Sequence, residues 1–67
     1  MTKTEMIEII FNTQIECDEH LEVIEYEFGS GAPYTLGIRE ASVQNRELIS
    51  KLNLDEEFYQ YRERVKA

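Results

Sequence analysis

Apolar residues recur at spacings of three and four over residues 6–28, and the rhythm keeps its phase throughout. On one α-helix, Met6, Ile7, Ile10, Cys17, Leu21, Ile24 and Phe28 share a face, with Thr13, Gln14 and His20 as the polar residues inside the stripe. A second stripe of constant phase joins Tyr34, Ile38, Ala41, Asn45, Leu48, Ile49 and Leu52. A third, shorter one joins Leu54, Phe58, Tyr61 and Val65, with Tyr59 pointing elsewhere. Between the first two stands Gly29-Ser30-Gly31-Ala32-Pro33. Gly29 suits the left-handed end of a helix, and Pro33 suits the first turn of the next.

The pattern predicts an all-α chain forming one small domain over residues 1–67. Its frame is an antiparallel helical hairpin of about 4–28 and 33–52, followed by a short helix of about 55–66. Thr2 or Thr4 can cap the first helix; Thr4 places Ile7 at the third helical position, so a full capping box is not expected, although Glu5 and Glu8 suit the positive helix start. Asn53 or Asp55 can cap the third. Closing the hairpin about its bend sets Phe28 beside Tyr34, Ile24 beside Ile38, Leu21 beside Ala41, Cys17 beside Asn45, Gln14 beside Leu48 and Ile10 beside Leu52. Gln14, Thr13 and Asn45 then form a polar layer whose amides must bond to one another or across an interface.

A second pattern competes over residues 21–38. Ile24, Tyr26 and Phe28 alternate with Glu25 and Glu27, and Tyr34, Leu36 and Ile38 alternate beyond the turn, as in a β-hairpin within an α+β chain. The helical reading is preferred because a hairpin would make the unbroken helical phase a coincidence, and two strands alone are marginally stable.

Ile9, Phe11, Ile15, Val23, Leu36 and Val43 lie off the main stripes. Two long helices and a short one cannot cover them in a monomer, so the expected assembly is a dimeric bundle.

Charge sharpens this picture. Of the net charge of −7, residues 1–27 contribute eight acids against one base, Lys3, whereas residues 28–67 hold six of each. The first helix therefore carries the surplus, and its partner should be neutral or basic. No basic stripe for direct nucleic-acid binding is present. Cys17 is the single cysteine, the N-terminus has no basic segment leading into an apolar run, and no apolar stretch reaches membrane-spanning length. The expectation is a cytoplasmic chain without membrane contact.

Candidate chemistry is sparse. Glu16-Cys17-Asp18-Glu19-His20 holds every common ligand type, but a zinc site needs about four ligands and no other His or Cys exists. No metal and no cofactor are therefore expected. Ser30, Ser42 and Ser50 lack a spaced base and orienting acid, and the Gly29–Gly31 loop lacks the Lys-Ser/Thr of a phosphate loop. The chain does not read as an enzyme.

Interaction is the better prospect. Phe58, Tyr59, Tyr61 and Arg62 cluster on the third helix, and aromatic and Arg residues are the usual interface anchors. Glu19, Glu22 and Glu25 belong to the one-sided acidic surface of residues 16–27 on the first. The expected function is a small regulatory or adaptor protein acting by protein–protein contact. The alternative is an acidic mimic of nucleic acid that occupies a basic groove. The stretch Leu54-Asp55-Glu56-Glu57-Phe58-Tyr59-Gln60-Tyr61 also resembles the Leu-Asp motif of short sporulation-regulatory phosphatases, themselves helical hairpins acting on a response-regulator aspartyl phosphate. Here the Ser before the Leu is displaced by one residue, to Ser50, and the motif follows the loop late, so no site residue is carried over.

Overall fold

A computed structural model describes residues 1–66. Three helices follow in order, α1 (Lys3–Phe28), α2 (Pro33–Lys51) and α3 (Asp55–Lys66), and no strand occurs among the described residues. The β-hairpin alternative over residues 21–38 is thus replaced by helix, bend and helix.

The ends of the helices explain where each stops. Against expectation a complete capping box is present, because Thr2 rather than Thr4 caps α1 and puts Glu5 at the third position: the Thr2 hydroxyl accepts from the Glu5 N–H at 3.1 Å, and the Glu5 carboxylate accepts from the Thr2 N–H at 3.4 Å. At the other end Gly29 has φ 85°, a conformation that side-chain-bearing residues rarely adopt, and its N–H donates to Glu25 O. Pro33 opens α2 at a position where no amide hydrogen is needed. Thr35, fully buried two residues on, donates its hydroxyl to Gly29 O at 2.9 Å and ties the bend to α2.

The second junction corrects the expected role of Asn53. Rather than opening α3, Asn53 closes α2 in the left-handed region, with φ 57°. Its N–H donates to Ser50 O and the Leu54 N–H donates to Ile49 O, both at 3.0 Å. That pair of bonds is a Schellman motif, and Leu54 packs back on the cluster around Ile49 as the motif favours.

Phe11, Ile15, Ile49 and Phe58 form the core, with Ile7, Ile10, Leu54 and Tyr61 packed against it. The Phe11 ring lies 5.3 Å from Phe58 and 5.4 Å from Tyr61, both tilted. Ile24 is buried apart from this cluster, toward the bend.

This core departs from the expected stripes. Phe11 and Ile15, read as off-stripe residues, are buried, while Met6, Phe28, Tyr34, Ala41, Leu48, Leu52 and Val65 are exposed. Each long helix is turned from the orientation that would bring the greasiest ridges together, so that Ile7, Ile10 and Ile24 of the α1 stripe and Ile49 of the α2 stripe stay inside while the others open wholly or partly to solvent. Two needs set that rotation. The flank of α1 that carries Phe11 and Ile15 must meet α3, and the line carrying Gln14, Asp18 and Glu25 must meet the donors of α2.

The α1–α2 seam is consequently polar. Gln14, with no exposed surface, donates from Nε2 to Ser42 Oγ at 2.9 Å and to Asp18 Oδ1 at 3.0 Å, and its Oε1 accepts from Asn45 Nδ2 at 3.0 Å. Ser42 passes its own hydrogen to Asp18 Oδ1 at 2.8 Å, Arg46 bonds Asp18 Oδ2 at 3.0 Å, and Asn45 also reaches Ile10 O. Arg39 pairs with Glu25 nearer the bend. The expected bond between Gln14 and Asn45 is present, and Phe28 and Tyr34 meet edge to face at 6.5 Å. Thr13 stays outside the layer, donating to Ile9 O of its own helix, and Gln14 faces Ser42 and Asn45 instead of Leu48.

Beside this seam, and sharing Asn45 with it, both helices carry an uncharged ridge. On α1 it comprises Met6, Ile10, Thr13, Cys17, His20 and Ile24; on α2 it comprises Tyr34, Ile38, Ala41, Asn45, Leu48 and Leu52. Steps of four and three alternate along each. Only Ile24 among these residues is buried; the others are exposed or half-exposed.

Candidate interaction surfaces

Each partner-binding residue expected from the sequence now has a place. Phe58 is 8% exposed and belongs to the core, so it is not free to anchor a partner in this conformation. Tyr61 is half-buried, and its hydroxyl donates to Asn12 Oδ1 at 2.7 Å, fastening α3 to α1. Tyr59 remains exposed at 57%. The Arg62 guanidinium lies 5.7 Å from the centroids of both the Phe58 and Tyr59 rings, with Nε buried and without a hydrogen-bond partner. The aromatic–basic cluster thus divides into a buried half that closes the core and an outer half of Tyr59 and Arg62.

The acidic run divides similarly. Glu25 is half-buried and ion-paired to Arg39, whereas Glu19 and Glu22 are exposed. Asp18, not singled out from sequence, is the most engaged acid, bound by Gln14, Ser42 and Arg46. Spacing along one helix could not reveal it, because its partners come from α2.

Two open grooves flank the hairpin. One, of about 570 Å³, is lined by Thr13, Glu16, Cys17, Glu19, His20, Val23 and Ile38. The other, of about 310 Å³, is lined by Lys3, Met6, Ile7, Ile10, Leu52 and Leu54 and is the more apolar. Cys17 and His20 share the first groove, where His20 Nε2 stands 3.3 Å from Tyr34 Oη and the two rings meet edge to face. Among the described residues, no group of three or more His, Cys, Asp or Glu is arranged to hold a metal ion. Asp55 Oδ1 accepts from the Ser50 hydroxyl at 2.7 Å across the α2–α3 junction. No helix among the described residues is long and apolar enough to cross a membrane.

Compared with known proteins, the chain matches no family model, no curated protein and no solved structure. The functional reading therefore rests on its own surfaces.

Proposed function

We propose that this chain is a small non-enzymatic regulatory or adaptor protein that acts through protein–protein contact and self-associates as a dimer. One observation carries the reading. Among the described residues, five apolar side chains are buried in the core while thirteen large ones stand exposed. Scattered exposed apolar residues are ordinary, but ones aligned along helices are the usual mark of a contact surface. The outer half of α3, with Tyr59 beside Arg62, has the composition of an interface anchor, and the exposed Glu19 and Glu22 favour a neutral or basic partner.

The alternative, an acidic nucleic-acid mimic, draws on the same α1 carboxylates. It ranks second because Arg39 and Arg46 already neutralise Glu25 and Asp18, shortening the run of free charge.

The test is retention of a partner by the immobilised full chain from extracts of its own cells. Tyr59→Ser and the double variant Glu19→Lys/Glu22→Lys change exposed residues and should leave helicity intact. The contact reading expects a stoichiometric partner whose retention falls with Tyr59→Ser. The mimic expects retention to vanish with the charge reversal and to weaken steeply with salt. Absence of any stoichiometric partner would overturn both.

A further inference from the structure

We infer that the paired uncharged ridges of α1 and α2 seat a second copy of this chain, giving a four-helix bundle with the two α3 helices on its outer flanks. This rests on the contact reading above and assigns the surface through which self-association occurs.

Direction comes first. On α1, the residues that meet α3 are Phe11, Asn12 and Ile15. At 100° per residue, Thr13, Cys17 and His20 project roughly opposite to them. In an antiparallel pair turned as these helices are, the α2 ridge opens toward the same side. Ile38 lines the groove with Cys17 and His20, and Leu52 lines the groove with Met6 and Ile10. The hairpin is therefore covered on one side by α3 and left with a continuous face on the other.

Spacing comes next. Alternating steps of four and three over residues 6–24 and 34–52 form the repeat by which helices pack at shallow crossing angles in bundles. The hairpin's own seam uses mainly a neighbouring, polar line; it engages Asn45, Ile10 packs on the core and Ile24 is buried, but the rest of the repeat is left unsatisfied within one chain.

Charge identifies the occupant. Charged residues make up 31% of the sequence and the net charge is −7, yet the twelve ridge positions include no Asp, Glu, Lys or Arg. Two such acidic chains can meet ridge to ridge without opposing like charges at the centre of the contact, the groove-lining Glu16 and Glu19 falling at its rim. A strongly basic partner would find its complementary acids only at that rim, not on the ridges. Area is adequate: a ridge pair about 28 Å long and about 20 Å wide covers roughly 500–600 Å² on each copy, reaching the ~1,000 Å² total that a specific interface requires.

Sedimentation equilibrium on the full chain tests this over roughly two decades of concentration, with helicity followed by circular dichroism. The expected result is a reversible dimer of twice the 7.9 kDa chain mass, with a urea midpoint that rises with protein concentration. Leu48→Lys should weaken it by about 30-fold or more while the chain stays helical. Met6→Lys on the other ridge should do the same, keeping the test sound if one variant fails to fold. Val43→Lys changes an equally exposed apolar residue off both ridges and should leave the dimer intact. A monomer at every concentration, a mass above the dimer, dimers indifferent to both ridge variants, or equal disruption by Val43→Lys would each overturn the inference. A monomer that still retains a partner through Tyr59 defeats this inference alone. A dimer that retains no partner defeats only the adaptor reading.

Discussion

The two ends of this hairpin are held by different physics. Where α1, α2 and α3 converge, Phe11, Ile15, Ile49 and Phe58 exclude water and two tilted aromatic contacts centre on Phe11. Along the middle of the hairpin the two long helices meet through Gln14, Asp18, Ser42, Asn45 and Arg46, and hydrogen bonds replace apolar packing. Burial of rings is favourable in almost any arrangement of similar shape. A saturated amide layer is favourable in one alignment only, because a shift of either helix leaves buried donors and acceptors without partners. The converging end thus supplies most of the stability, and the seam supplies the register.

The comparison breaks most readily at Phe11. Phe11→Ala should cost about 3–5 kcal/mol, enough to unfold much of so small a domain, as read from urea titrations by circular dichroism. A loss below about 1 kcal/mol would mean that the aromatic cluster is not the stabilising end. Gln14→Leu keeps the volume but strands the groups it serves on Ser42, Asn45 and Asp18. It should cost about 1–3 kcal/mol, and the double variant Gln14→Leu/Ser42→Ala should recover part of that. Strict additivity of the two changes would show that the seam is not a coupled network.

Smaller effects probe the junctions. Asn53→Ala should cost about 1 kcal/mol because alanine resists the left-handed region, whereas Asn53→Gly should be neutral or slightly stabilising. Thr2→Ala should cost about 1 kcal/mol by removing the capping box, with amide exchange accelerating in the first turn of α1. Arg39→Ala should have the least effect, below about 1 kcal/mol and shrinking with added salt, since its pair with Glu25 is more than one-third exposed on both sides. A larger, salt-independent loss there would extend the register-setting role to the bend.

These differences separate what a sequence can and cannot say. Helix identity, the bend at Gly29–Pro33 and the short third helix follow from periodicity and capping chemistry, which are local properties. So does the Gln14–Asn45 amide pair, since both polar residues interrupt apolar stripes in adjacent layers of the hairpin. The rotation of the helices was not readable from either stripe. Helix α1 is apolar on more than one side, so its pattern permits several inward faces of similar quality. Docking of α3 against Phe11 and Ile15, with the fit of Gln14 and Asp18 to donors on α2, selects among them.

The candidate surfaces show the same division. Composition marked Phe58, Tyr59, Tyr61 and Arg62 as a group, and tertiary packing split it into core and surface. The linear run Glu19, Glu22 and Glu25 was split by Arg39, a residue far off in sequence. Local pattern determined which segments coil, where they end and how much apolar surface they carry. Only the folded arrangement decided which of that surface is hidden, because burial depends on what arrives from elsewhere in the chain.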